Sequence, residues 1–405
     1  LQNGLCPLDQ SLQPVDQSAD STSSVFYSNN MQQCFGPPQT KEGADTNSLF
    51  NVPWWFRTDF TSSVQPGQDA KLVINGVMGQ ADVWVNGTEV ATQATVEGDY
   101  TSYTFDVTSL LRSAANTSGG NTLALELFPN NPSTMFTLDD VDWNQIPPDN
   151  NTGVQFPVQL HVSDALGVSN VYATQNDAPD MSTAALTVHA DVANNTGSQQ
   201  AGLVTAQVTP PGGGYPVQVS QSVTLPAGAT STVTFTPRSD PQLTLRHPQL
   251  WWPYQMGGQP LYRVRAWVSA HGQVSDVSRS VLLGIRSVST YLTAPSAEAP
   301  DGVRVFEING VPFDFRGGGW SENLFLHYSA SDLANQISMI KSMGLDGIRT
   351  EGKEMPQNFY DQMDRAGILI DAGFQCCDKW QPSGSGRGVT AQEFHVMYLS
   401  SLTIG

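Results

Sequence analysis

The residues best suited to chemistry are carboxylates, an arginine and tryptophans that follow short apolar runs in the last third of the chain. Trp320, Glu322 and Asn323 follow the first run, Arg349 and Glu351 the second, and Asp378 and Trp380 the third. Such carboxylates accept hydrogen bonds from hydroxyl or ammonium groups, a guanidinium donates them, and an indole face stacks on a flat ligand surface. A second group, Asp142, Trp143 and Asp149, lies on a Pro- and Asn-rich stretch. Loops of that length are usually functional or disordered. Each residue also has a plainer reading: Arg349 and Glu351 as an internal ion pair, Trp380 as filler, and the Asp142 segment as a surface loop. His189, His247, His271 and His327 show no metal-ligand spacing, and Gly317-Gly318-Gly319 lacks the Lys and Ser of a phosphate loop. No metal or cofactor is expected.

The elements that must position these residues fall into three segments. From Pro53 to about Val162, short alternating runs stand between turn signals. Ala81-Asp82-Val83-Trp84-Val85 followed by Asn86-Gly87 is the strongest hairpin signal among them. A second all-β stretch begins near Val168; Leu186, Val188, Ala190 and Val192 alternate with polar residues, and a Pro-Pro-Gly-Gly-Gly turn at 210–214 separates two further runs. That spacing suits an immunoglobulin-like sandwich. After Val288 the pattern changes. Leu333, Ile337, Ile340 and Met343 follow helical spacing up to Gly344, a strand covers 345–349, a second helix runs from Pro356 through Phe359 and Met363 to Gly367, and Ile368-Leu369-Ile370 is the next strand. Strands alternating with helices at this spacing predict the opening of a parallel (β/α)8 barrel. Only about three of its eight units fit before Gly405, so an exposed apolar rim is expected on this segment.

Of the 405 residues, 14% are charged, against about 25% in an average globular protein. Ser, Thr, Asn, Gln and Gly must therefore supply the surface polarity. The 37 acidic and 18 basic residues leave a net charge of −19, a field that repels phosphate backbones and argues against nucleic-acid binding. It would attract a polycation. The longest apolar runs fall far short of the roughly 20 residues that span a bilayer. The start, Leu1-Gln2-Asn3-Gly4, reads as a mature end left by signal-peptide removal or as a trimmed start. Sequons at Asn86, Asn116, Asn150 and Asn194 add support for an extracellular, secreted glycoprotein, with Asn86, Asn116 and Asn194 as the expected acceptors. Cys6 and Cys34 could close a disulfide loop, whereas the adjacent Cys376 and Cys377 could form a strained ring or remain buried thiols.

Specific strings give the layout a family. Trp54-Trp55-Phe56-Arg57-Thr58-Asp59-Phe60, Asp82-Val83-Trp84-Val85-Asn86-Gly87, Leu250-Trp251-Trp252-Pro253 with Gly257, Pro260, Leu261 and Tyr262, Leu283-Gly284-Ile285-Arg286, and Ile308-Asn309-Gly310 with Arg316-Gly317 occur in that order. Together they resemble the motifs of glycoside hydrolase family 2. The resemblance implies a multidomain, mainly β fold: a sugar-binding-type, jelly-roll-like β-sandwich over 1–165, an immunoglobulin-like β-sandwich over 166–288, and the N-terminal portion of a TIM barrel over 289–405. Asp142-Trp143-Asn144, Arg349-Thr350-Glu351-Gly352 and Cys376-Cys377-Asp378-Lys379-Trp380 resemble the exo-β-D-glucosaminidase branch, with the β-mannosidases as the nearest competitor.

By activity, the resemblance implies a retaining exo-β-glycosidase acting on chitosan, chitooligosaccharides or another β-linked hexose. Retaining enzymes need two carboxyl groups about 5 to 5.5 Å apart, and in this family they stand on the fourth and seventh barrel strands. Neither strand is in this sequence. No residue here is named catalytic, and the chain by itself is expected to be inert until a second polypeptide or a missing C-terminal segment completes the barrel. The strand-end residues, with Asp142, Trp143 and Asp149 reaching over the barrel mouth, would then form part of a sugar-binding wall. The branch carries carboxylates beside the paired cysteines, where this chain has Gln375 and Gln381. Amine preference is weakened accordingly. A carbohydrate-binding protein without catalysis, built from the two sandwiches, is the alternative of another class, followed by an adhesion or scaffold protein.

Overall fold

Alternation of inward apolar and outward polar residues builds two antiparallel sandwiches in succession, and helical periodicity then builds a small parallel layer. The computed structural model describes residues 50–372 other than 63, 100, 113–119, 132–134, 136–148, 155, 322–325, 327–328 and 351–354. The four cysteines and Asn116 lie outside them. Among the described residues, no helix is long and apolar enough to cross a membrane.

The first sandwich comprises β1 (Trp54–Phe60), β2 (Asp69–Ile74), β3 (Gln80–Val85), β4 (Thr88–Glu97), β5 (Tyr103–Asp106), β6 (Asn121–Phe128) and β7 (Val158–Ser163). One sheet runs β1-β6-β3-β4 and the other β5-β2-β7. Ala81, Val83 and Val85 of one sheet face Ala70, Leu72 and Ile74 of the other across a buried core. The hairpin expected at Asn86-Gly87 joins β3 to β4, with φ of 50° and 82° at its two central residues. Positive φ at both positions gives the turn a twist that matches its strands, and Asn and Gly tolerate it.

The second sandwich comprises β8 (Leu166–Asp177), β9 (Thr183–Asn194), β10 (Gln200–Thr209), β11 (Val217–Leu225), β12 (Thr230–Phe235), β13 (Thr244–Arg246), β14 (Tyr262–Ala270), β15 (Gln273–Val277) and β16 (Val281–Leu283). One sheet runs β11-β10-β14-β15 with β16 beside β14, and the other runs β12-β9-β13 with β8 beside β9. Leu186, Val188, Ala190 and Val192 of β9 are fully buried against Val204, Ala206, Val264 and Val268. A polar seam joins the sandwiches. His161 Nε2 on β7 lies 2.7 Å from Asp276 Oδ2 on β15, and that same oxygen accepts from Val168 N–H at 2.7 Å.

After a meander of β17 (Val288–Leu292), β18 (Arg304–Ile308) and β19 (Val311–Phe313), the chain alternates β20 (Gly317–Trp320), α1 (Ala330–Ser342), β21 (Gly347–Thr350), α2 (Gln357–Ala366) and β22 (Leu369–Ala372). The last three strands are parallel, in the order β20-β21-β22. Ser329 caps α1 by accepting from Asp332 N–H, and Gly367 ends α2 at φ 73°. Leu333, Ile340, Ile348, Phe359 and Met363 fill the space between strands and helices. The described residues thus hold three parallel strands and two helices and no closed barrel. Val288, Tyr291, Leu292, Phe306 and Val311 are exposed, but they lie on the antiparallel meander and not on the three parallel strands for which an apolar rim is expected.

The second sandwich grips the parallel layer through the Leu-Trp-Trp-Pro string. Trp251 is 1% exposed. Its N–H pairs with Ile285 O at 2.9 Å, its indole Nε1–H donates to Asp364 O at the end of α2 at 2.8 Å, and its carbonyl accepts from Asn309 Nδ2 at 3.0 Å. The Arg286 guanidinium stacks 4.8 Å from its ring. Beyond it, Tyr254 N–H donates to Gly367 O at 3.0 Å, and Gln255 Nε2 donates to Gly344 O at 2.9 Å. A side chain at Gly367 would place its Cβ 2.7 Å from Tyr254 N, so the close approach needs glycine as much as the turn does. Both helix C-termini are therefore closed by the second sandwich.

Two outcomes are expected. Replacing Trp251 by Ala should cost about 3 to 5 kcal/mol, the range for a buried large aromatic, and by Phe about 1 to 3 kcal/mol from the orphaned carbonyl of Asp364. Urea unfolding followed by circular dichroism reads both, and a loss below about 1 kcal/mol for Trp251→Ala would remove the residue from this role. The seam should also depend on pH. Its hydrogen bond to Asp276 raises the His161 pKa above the ordinary 6.5, so its contribution is complete below that value and fades as pH rises through the raised one. The stability gap between wild type and His161→Gln should shrink from pH 5.5 to 8.5; a constant gap would contradict it.

Candidate functional site

In a β-strand successive side chains point to opposite faces, and the parallel sheet sorts its residues accordingly. Ile348 is 2% exposed in the core beneath the helices, so Arg349, one position on, takes the other face. The register aligns Gly319 with Arg349 and Arg349 with Asp371, and both charged residues are exposed. On that face Gly317 and Gly347 lie below them. A Cβ at Gly347 would fall 2.2 Å from the Phe315 ring, and one at Gly317 would fall 2.7 Å from it. The aromatic ring therefore lies across both glycines. The result is an open wall with Phe315 at its base and Arg349 and Asp371 nearer the C-terminal ends of the strands.

Trp320 belongs to the other face. The register pairs it with Thr350, which is fully buried. Its ring packs 4.9 Å from Phe359 of α2, and its Nε1–H donates to Gln336 Oε1 of α1 at 3.1 Å. Of the residues expected on the binding wall, the structure brings Arg349 to the open face and gives Trp320 to the packing of strand on helix. Asp371 joins Arg349 there, a residue not selected from the sequence. Its signal was modest: a carboxylate directly after Ile368-Leu369-Ile370, at a rank visible only once the strands are aligned.

Asp149 closes a loop of the first sandwich. Its Oδ1 accepts from Asn151 N–H at 3.0 Å, and its carbonyl accepts from Thr152 Oγ1 at 2.7 Å. Burial pushes its carboxyl pKa upward, opposed by the Asn151 hydrogen bond. Asn150 and Asn151 both carry positive φ, 47° and 57°, and the loop is pinned by paired backbone hydrogen bonds between Met78 and Gly153. Asp142, Trp143, Glu322, Asn323, Glu351, Asp378 and Trp380, with Gln375 and Gln381, lie outside the described residues.

Against known proteins, the pattern of Glycosyl hydrolases family 2 matches residues 166–286, which span the second sandwich. The Glycosyl hydrolase 2 galactose-binding domain-like pattern matches residues 33–135, in the first. An exo-β-D-glucosaminidase of Streptomyces avermitilis is 38% identical over 376 residues, covering 92% of this chain. The chain belongs to glycoside hydrolase family 2. An exo-β-D-glucosaminidase of Arthroderma benhamiae is 30% identical over 334 residues, 82% of the chain and 36% of that protein. The crystal structure of the Amycolatopsis orientalis exo-chitosanase CsxA superposes with a TM-score of 0.77 at 33% identity, covering 93% of this family 2 chain. The chain spans about two fifths of these relatives, 38% of the Streptomyces enzyme and 41% of CsxA.

The structure also bears on the sequons of this family 2 chain. Asn194 is 1% exposed, and its Nδ2 donates to Ser198 O, Leu225 O and Pro226 O at 2.8 to 3.0 Å. Asn86 Nδ2 gives its hydrogens to Leu110 O and Asn121 Oδ1, and Asn150 is 1% exposed. A glycan on any of these nitrogens would displace bonds the fold uses or enter a packed region. Glycopeptide mass spectrometry of protein from a eukaryotic secretory host should find Asn194 unmodified. A largely occupied Asn194 would show that this turn opens to admit a sugar.

Proposed function

We propose that this chain supplies the N-terminal portion of a secreted, retaining exo-β-D-glucosaminidase acting on chitosan or chitooligosaccharides. The observation that carries the reading is 38% identity with an exo-β-D-glucosaminidase across 92% of the chain. The net charge of −19 agrees with it, since an acidic field concentrates a polyamine substrate. In this reading the parallel strands are the opening of a (β/α)8 barrel. Arg349 and Asp371 hold sugar hydroxyls or the ammonium at its mouth, with Glu351, Asp378 and Trp380 from the strand ends. Asp149, with Asp142 and Trp143, extends the wall from the first sandwich. The two catalytic carboxylates come from the remainder of the barrel, so residues 1–405 alone should not hydrolyse aryl β-glycosides.

A β-mannosidase-like specificity is the second reading, and Gln375 and Gln381 favour it. A neutral amide solvates an ammonium through its carbonyl but gives up the charge-charge attraction. The two readings separate on the specificity constants of the complete enzyme for aryl β-glucosaminide and aryl β-mannoside. A preference for the glucosaminide is expected, and a preference for the mannoside would overturn the first reading. Restoring Glu at either position should then raise the glucosaminide-to-mannoside ratio about five- to 150-fold, the worth of a charged hydrogen bond of about 1 to 3 kcal/mol. An unchanged ratio in both variants would take these glutamines out of the amine site.

A further inference from the structure

The outer face of the first sandwich carries a feature that the strand-end wall does not use. Because Val83, Val85, Leu123 and Leu125 point into the core, their strand neighbours point outward. The register sets Trp55 opposite Glu126 and Glu126 opposite Asp82, and in the next rank it sets Ala124 and Glu89 opposite Trp84. Trp55, Trp84, Gly87, Thr122 and Ala124 line an open depression of about 250 Å³. Its floor is small because Ala124 and Gly87 lack bulk, and its walls are two indoles. Trp55 is 56% exposed, a cost in water that packing within the described sandwich does not offset.

Among the described residues, the charges around it are one-sided. Glu126, Asp82 and Glu89 stand beside the indoles, while the nearby cation, Arg57, is held by Asp59 at 2.8 Å. Asp59 in turn accepts from Thr122 Oγ1 at 2.8 Å. Two indole faces with a small floor fit the flat apolar side of a pyranose, and a surplus of carboxylates fits an ammonium.

We propose that the Trp55–Trp84 face binds one or more rings of a β-linked glucosamine oligomer, with the indoles stacking on the sugar and Glu126, Asp82 and Glu89 attracting its ammonium groups. The choice of amino sugar rests on the function proposed above; the stacking surface does not. Such a site would hold a polymer chain on the first sandwich.

The test titrates the 405-residue chain with fully deacetylated chitohexaose and with neutral cellohexaose, followed by calorimetry. Trp55→Ala, at an exposed position, should weaken chitohexaose binding at least about tenfold, the scale of a lost aromatic anchor. Glu126→Gln should weaken it about two- to fivefold, as a partly exposed charge allows, and leave cellohexaose unchanged; wild-type binding should fall with added salt. Unaltered chitohexaose affinity in Trp55→Ala, or no measurable binding by wild type, would overturn the site, and equal loss for both oligomers in Glu126→Gln would overturn its preference for an amine. In the complete enzyme, Trp55→Ala should leave turnover of a small aryl glucosaminide unchanged while slowing that of long chitosan, and equal loss on both would count against the proposal. A complete enzyme that binds chitohexaose through Trp55 but does not cleave glucosaminides would sink the proposed activity alone.

Discussion

The buried indole of Trp251 is the contact on which the rest of the arrangement depends. A tryptophan in an apolar interior needs an acceptor for its N–H, and here the acceptor is the carbonyl of Asp364, in the last turn of α2. Burial raises the Asp364 carboxyl pKa, and the neighbouring Arg286 guanidinium opposes that rise. The same guanidinium lies over the Trp251 ring. One side chain thus ties together the second sandwich, the strand that leaves it and the helix layer of the third segment.

The polarity of that grip decides what remains available. Helix C-termini in a strand–helix–strand unit lie at the end of the sheet where the next strand begins. By holding Gly344 and Gly367, the 251–259 loop occupies the N-terminal end of the parallel strands. Arg316 and Asp346 complete that end: Asp346 is 4% exposed and its Oδ1 accepts from Arg316 N–H at 2.8 Å. Arg349 and Asp371 stand nearer the opposite ends of these strands, which is where parallel β/α folds place their ligands.

Much of this was legible in the residues. Asn86-Gly87 announced its turn because only a few side chains accept positive φ twice in succession, and Gly344 and Gly367 announced helix ends for the same reason. The alternation in β9 was readable because every second residue meets a core. Face, by contrast, was not readable from strand-end chemistry alone. Trp320 looked like a ligand-stacking residue, yet its register with Thr350 sends it to the helices, while Asp371 shares the rank of Arg349. The sequons raise a related point: Asn86 and Asn194 match a three-residue pattern, whereas in the fold their amides are also committed to partners 24 to 36 residues away. Trp55 and Trp84 were read as part of family strings, and their joint outward placement emerged only from the pairing of three strands.

Native-state hydrogen exchange at increasing sub-denaturing urea tests the central role of the Trp251 loop most directly. The informative amides are Tyr254, which donates to Gly367 O across the junction, and Leu369, which donates to Asp346 O within the parallel layer. If the loop and the layer form one unit, both should merge onto a single opening free energy and lose protection together. Exchange of Tyr254 at a distinctly lower free energy, with Leu369 still protected, would mean that the junction opens by itself and that the parallel layer stands without it.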